Sequence, residues 1–162
     1  MGDTRYRNGF SLIEALIALI LVGFAIASLV ASNSSFTKAN AVGTDLSTAE
    51  FLIEQIRELT VLLPVIDPQT GTDVFGSEEA SLADYDDLDD FNGSSFSPPI
   101  SANREVLNNF AAFNQQITVE NVSNSNFQQV VGDHSSDFVR VTAKLFLNAK
   151  EVGSASWIRA RY

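Results

Sequence analysis

Apolar residues crowd one end of this chain. From Phe10 to Ala31 it reads FSLIEALIALILVGFAIASLVA, 22 residues in which Glu14 is the only charge. As a helix this run spans about 33 Å, close to the roughly 30 Å of hydrocarbon in a bilayer. It holds no Pro, and only Gly23 interrupts its helix-forming residues. After it, Asn33, Ser34, Ser35 and Thr37 mark an exit into water. Phe36, Ala39, Val42 and Leu46 then recur at three- and four-residue spacing, as do Leu52, Ile56, Leu59 and Leu63, with Glu54, Arg57 and Glu58 on another face. Pro64 cannot continue a helix, so the pattern predicts a single helix over 10–63, about 80 Å if straight, with Gly43 and 32–35 as the places to bend. Such a stripe in water must be covered, and the C-terminal half is expected to cover it.

The pattern then changes. Residues 64–105 are rich in Ser, Asp, Gly and Pro, and Asp67-Pro68-Gln69-Thr70-Gly71 is turn chemistry, which predicts a long surface loop with room for one short strand or helical turn. Three segments follow with a period of two. Gln115–Val122 sets Ile117, Val119 and Asn121 against Thr118 and Glu120. Asp137–Leu147 turns Val139, Val141, Ala143, Leu145 and Leu147 inward and Arg140, Thr142 and Lys144 outward. Asn148-Ala149-Lys150-Glu151 reverses the chain, and Val152–Tyr162 returns with Trp157 and Ile158 as its largest apolar side chains. Sequential strands on short turns pair antiparallel. The expected fold class is α+β, a long N-terminal helix packed on a small antiparallel sheet. The sequence contains no internal repeat.

Composition sharpens this. The chain has 162 residues and 17.6 kDa, the size of one domain. Twenty acids against ten Lys and Arg give a net charge of −10 and a pI near 4.3, the wrong balance for nucleic acid. No Cys is present, which excludes a disulfide and any thiolate metal site but leaves the compartment open. Ahead of the apolar run, MGDTRYRNG carries Arg5 and Arg7. Positive flanks stay cytoplasmic, so everything beyond Ala31 is expected outside, where an acidic domain fits.

Three readings compete for this front end. A secretory signal peptide needs an apolar stretch of only about 7–15 residues, although Ala25-Ile26-Ala27 offers a weak cleavage site. A plain anchor fits the length but leaves a carboxylate inside the segment unexplained. The third accounts for the whole junction: Gly9-Phe10-Ser11-Leu12-Ile13-Glu14-Ala15 closely resembles the processing signature of type IV prepilins and type II secretion pseudopilins. The resemblance implies that an inner-membrane prepilin peptidase cuts between Gly9 and Phe10 and methylates the new amine of Phe10. Glu14 then stands fifth in the mature chain, where the family keeps a glutamate. The implied fold is a long helix on an antiparallel sheet. The implied partners are other pilin or pseudopilin subunits, the peptidase and an inner-membrane assembly platform.

A carboxylate in hydrocarbon costs about 2.5–3.5 kcal/mol even on a lenient scale, so Glu14 needs a partner. The resemblance supplies one, the terminal amine of Phe10 on an incoming subunit. Such a contact at about 4 Å is worth roughly 4 kcal/mol at an effective dielectric of 20, before desolvation. The bland alternative is a Glu14 that snorkels to the interface.

Asp84–Asp90 places five carboxylates in seven residues, followed by Phe91-Asn92-Gly93. A flexible oxygen-rich loop suits Ca²⁺, but Leu88 and Phe91 stand where EF-hand spacing needs ligands. The favoured reading is a solvated acidic loop pinned to the sheet edge by Tyr85, Leu88 and Phe91, with no metal and no cofactor. This stretch, with Ala49, Leu52 and Glu54, also resembles minor pilins of the mannose-sensitive haemagglutinin type over about residues 49–93. Major pilins commonly carry Pro where Ala31 stands and a C-terminal disulfide that this chain cannot form. Both departures point to a minor or pseudopilin subunit.

His134 neighbours Ser135, Ser136 and Asp137, but sequence neighbours do not make a triad, and neither a phosphate loop nor zinc spacing occurs. No enzyme and no catalytic residue is expected. The expected organisation is a leader over 1–9, a membrane and assembly segment over 10–31, an amphipathic helix over 32–63, and an exported domain over 64–162. The function expected is that of a minor pilin-like filament subunit. The alternatives are a type II secretion pseudopilin and a single-pass membrane protein that never polymerises.

Overall fold

The computed structural model describes residues 9–161. Helix α1 runs Leu12–Thr60 and is continuous through 32–35 and Gly43. Four strands, β1 (Ser95–Phe96), β2 (Phe113–Val122), β3 (Phe138–Leu147) and β4 (Lys150–Ala160), form one antiparallel sheet in the order β1-β2-β3-β4. Two 3₁₀ turns, Asp89–Phe91 and Asn108–Phe110, interrupt the connections. The chain divides into two compact units at Thr44/Asp45, and α1 belongs to both. The α+β class expected from the sequence is the one found.

Local chemistry explains how α1 holds its polar stretch. The hydroxyls of Ser28, Ser35, Thr37 and Thr44 donate to carbonyls four residues back at 2.8–3.1 Å, so none draws the backbone out of the helix. The helix stops at Thr60 rather than Leu63. There, Thr60 Oγ1 donates to the carbonyls of Ile56 and Arg57, and Arg159 on β4 donates to those of Thr60 and Leu63. Side chains thus reach the carbonyls of Arg57 and Thr60, two of the terminal ones that a further turn would otherwise occupy.

In the unit from Asp45 onward, Ala49, Leu52, Ile53, Ile56 and Leu59 of α1 pack against Ile117, Val119, Val139, Val141, Ala143 and Leu145 of the sheet. Each buried Leu, Ile or Val contributes roughly 1.5–3 kcal/mol. The period-two reading holds in β2 and β3, where alternate residues 113–121 and 139–145 are buried, though Leu147 is only half-buried. Within this unit Leu46 is exposed and the buried face of the helix begins at Ala49.

Three further features tie the layers together. Gln115 faces the core: its amide donates to Leu52 and Ile100 carbonyls at 2.9 and 3.2 Å, while its oxygen accepts from Ile100 N–H at 2.7 Å. Asn92 accepts from Val119 N–H at 3.0 Å, and Gly93 and Ser94 exchange bonds with Ile117, so the segment before β1 shields the β2 edge. Gly153 admits the helix, since a Cβ there would stand 3.2 Å from that of Ala49. The β3–β4 reversal is tighter than the four residues expected. Leu147 pairs with Lys150, and Asn148 and Ala149 alone turn the chain at φ 51° and 65°.

Two substitutions test this geometry in the full chain, solubilised in detergent and followed by thermal unfolding. Gly153→Val overfills the helix–sheet contact and is expected to cost about 1–3 kcal/mol. Ala149→Gly removes a side chain from a left-handed position and is expected to gain about 1 kcal/mol. A lowered midpoint for Ala149→Gly would contradict the turn described.

Candidate functional site

The front of α1 is built by a reciprocal cap. Ser11 precedes the first helical residue, and its hydroxyl accepts from Glu14 N–H at 3.3 Å. Glu14 Oε2 in turn accepts from Ser11 N–H at 2.9 Å and Ser11 Oγ at 2.8 Å. This is the Ser-x-x-Glu capping box, which sets a carboxylate at the positive end of the helix dipole. Neither expectation for Glu14, a partner for another subunit's amine or a side chain snorkelling to the interface, includes this intrachain role, although the Ser-x-x-Glu spacing shows it. Gly9 and Phe10 lie just before the cap, and Phe10 is 90% exposed.

Every residue from 9 to 44 is exposed, including Leu12, Leu16, Ile20, Phe24 and Leu29. Among the described residues, α1 is the one helix long and apolar enough to cross a membrane. Arg5 and Arg7 and the rest of the expected leader up to Asn8 lie outside the described residues, as does Tyr162.

The acidic segment departs from the solvated loop expected. Leu88 and Phe91 are fully buried and Tyr85 stacks edge-on against Phe91 at 5.1 Å, so the expected apolar pins are present. Being interleaved with them, Asp87, Asp89 and Asp90 are buried as well, at 1–2% exposure. Backbone amides meet part of the cost. Asp90 Oδ2 accepts from Asp86 and Asp87 N–H, Asp87 Oδ1 from Asp90 N–H, and Asp89 Oδ2 from Gly76 N–H. Arg104 fastens the segment by its backbone, donating to the carbonyls of Leu82, Ala83 and Tyr85. The turn at Asp67 forms as expected, with Thr70 N–H and Oγ1 on its carboxylate and Gly71 at φ 70°.

Crowding shifts several of these acids. Burial, then the Asp89 carboxyl, pushes Asp87 up to about 8. The Asp90 carboxyl, then burial, pushes Glu79 up to about 7. Asp67 is held down at about 2, by Glu78 first and then by the Gln69 amide, while Glu78 is raised by Asp67.

His134 occupies a turn at φ 53°, its Nε2 2.6 Å from the Val74 carbonyl and 4.0 Å from Asp89 Oδ2, with Phe75 against the ring. Its contacts run to these groups rather than to a serine nucleophile. Trp157 is half-buried against the core with the Arg57 guanidinium 5.2 Å above its ring.

The raised acids make stability depend on pH. Asp87 and Glu79 keep their protons in the folded chain up to about pH 8 and 7, but lose them near pH 4 when unfolded. The folded state therefore binds more protons between pH 4 and 8, and stability falls as pH rises through that window. Asp67 acts oppositely, but only below about pH 4. The full chain, treated with chelator, is expected to melt at least roughly 4 °C lower at pH 8 than at pH 5, and Asp87→Asn should flatten the difference. A midpoint that climbs from pH 5 to pH 8 contradicts the assignment.

Residues 4–30 match the family model for the prokaryotic N-terminal methylation motif, a stretch containing Gly9, Phe10 and Glu14. No curated protein and no solved structure matches the chain, so the likeness to the mannose-sensitive haemagglutinin type rests on its own residues alone. The family of this motif is structural rather than catalytic, and the motif supports a substrate of prepilin peptidase. With a long N-terminal helix packed on a four-stranded antiparallel sheet behind it, the motif supports a place for this chain in the type IV pilin-like prepilin family.

Proposed function

We propose that this chain is a minor subunit of a type IV pilus-type filament and has no catalytic role. Prepilin peptidase cleaves it between Gly9 and Phe10 and methylates Phe10, leaving residues 10–31 as the assembly segment and 64–162 as the exported domain. Before cleavage it sits in the inner membrane as a single span with Arg5 and Arg7 inside and the acidic domain outside. An assembly platform then transfers it to other pilin subunits. The observation that carries this reading is the bare apolar length of α1 behind a methylation motif, with a capped carboxylate at its front. Lipid and neighbouring helices are similarly apolar, so moving between them changes the hydrophobic term little, and close packing and polar contacts decide association. Glu14 supplies the polar contact: the methylated amine of Phe10 on the incoming subunit pairs with the carboxylate of a resident one and sets its register. The missing Pro at Ala31 and the absence of Cys favour a minor role over a bulk fibre protein. The same chemistry would serve a type II secretion pseudopilin, and the subunits captured with the chain separate the two.

Mass spectrometry of the mature amino terminus is expected to find N-methyl-Phe at residue 10. An intact Met1, or a cut near Ala27, defeats the proposal. Glu14→Ala is expected to lower incorporation into sheared filaments about tenfold or more, the equivalent of 1.4 kcal/mol, with membrane levels unchanged. Incorporation at the wild-type level would leave Glu14 as a helix cap only.

A further inference from the structure

The acidic segment holds something the filament reading does not use. Carboxylate oxygens of Asp67, Glu79 and Asp86 lie within 4.8 Å of one another, and so do those of Glu78, Glu79 and Asp90. Glu79 belongs to both groups, so three separate stretches of chain converge on it. Acids cluster on many surfaces without consequence, but here a second feature points to a ligand. Asp90 is 1% exposed; its Oδ2 is occupied by two backbone amides, while its Oδ1 is buried with no hydrogen-bond partner. Glu79 Oε2 and Asp86 Oδ1 are buried and unpartnered too. A buried carboxylate oxygen without a partner is costly, and Asp90 and Glu79, which both carry one, belong to the same group of converging carboxylates. The nearby guanidinium of Arg104 is spent on carbonyls. Arg57 and Arg140 pair with Glu54 and Glu120, and His134 Nε2 faces Asp89 at 4.0 Å.

We propose that Glu79 and Asp90, with Asp67, Glu78 and Asp86 around them, bind a hard divalent cation of the Ca²⁺ class. The donors are all oxygen, with neither thiolate nor imidazole among them, which disfavours zinc and copper. They come from an irregular segment rather than a rigid frame, which suits the variable coordination of Ca²⁺ better than the strict octahedron of Mg²⁺. The raised protonation range of Glu79 follows the same repulsion, which a shared proton relieves at low pH and a cation relieves at neutral pH. Bound there, the ion joins the Asp67 turn to the 3₁₀ turn at Asp89–Phe91, clamping the connection between α1 and β1 where secondary structure is sparse.

The test uses the full chain in detergent at pH 7.5, stripped with chelator and titrated with CaCl₂. Calorimetry is expected to show saturable binding with Kd below about 1 mM. At ten times Kd the melting midpoint should rise by about 2–8 °C. Glu79→Gln and Asp90→Asn should each abolish the heat and the shift, whereas Glu58→Gln, exposed on α1, should leave both intact. Glu79→Gln also removes a repelling charge, so its metal-free midpoint should equal or exceed wild type, which distinguishes lost binding from lost folding. The proposal is overturned by no saturable heat up to about 10 mM CaCl₂. It is equally overturned by a full shift retained in Glu79→Gln, or by an equal shift with MgCl₂, the mark of general charge screening.

Discussion

A long apolar helix face that finds no cover in its own unit governs the rest of the molecule. In the unit from Asp45 onward the sheet packs on α1 from Ala49, and in the other unit residues 9–44 present Leu, Ile, Val and Phe to whatever surrounds them. Water cannot be that surrounding, because burying side chains of this kind contributes roughly 1.5–3 kcal/mol each. Lipid can, and so can other helices of the same character. Between those two the hydrophobic term is nearly balanced, so the few polar groups on the face carry the discrimination. The cap at Ser11 and Glu14 bears on this directly. It satisfies one carboxylate oxygen within the chain, which lowers the cost of holding Glu14 in an apolar setting.

Most of the architecture could be read from the chain because one physical cause left a strong trace. A sheet with one face on a helix must alternate, and β2 and β3 alternate in register, Ile117 opposite Ala143 and Val119 opposite Val141. The unread parts are those where the deciding partner is distant. The end of α1 depends on Arg159, 99 residues beyond Thr60. The length of the covered stripe depends on where β4 meets the helix, which Gly153 and Ala49 decide and spacing alone cannot. Gln115 looks like a strand residue of no special kind until Leu52 and Ile100 are brought to it. Strand β1 is two residues long and leaves no periodicity to detect.

The acidic segment misled for a different reason. Five carboxylates in seven residues read as a solvated surface, since ionised groups are costly to bury unpaired. Leu88 and Phe91 outweigh that preference. Both are completely enclosed, and Asp87, Asp89 and Asp90 alternate too closely with them to escape. The backbone relieves one oxygen of each: Asp90 N–H serves Asp87, Gly76 N–H serves Asp89, and the amides of Asp86 and Asp87 serve Asp90. The other oxygen of each is left unpaired. Composition reports how many charges a segment carries, not which of them its apolar neighbours drag inside.

The two ends of this protein thus present the same problem. Glu14 sits on an apolar helix with one oxygen in a cap, and Asp90 sits under an apolar turn with one oxygen on amides. In each case the backbone fixes the carboxylate's orientation and leaves part of its charge for a cation the fold itself does not place there. At the membrane end the cation we propose is the terminal amine of another subunit; at the exported end it is a metal ion. On these proposals both partners come from outside the chain, one from another subunit and the other from the solvent. A carboxylate held in this way contributes its full stabilisation only when the partner is present, because a half-satisfied anion in an apolar setting costs more than a complete pair. On both proposals, a positive charge from outside the chain completes what the fold leaves open.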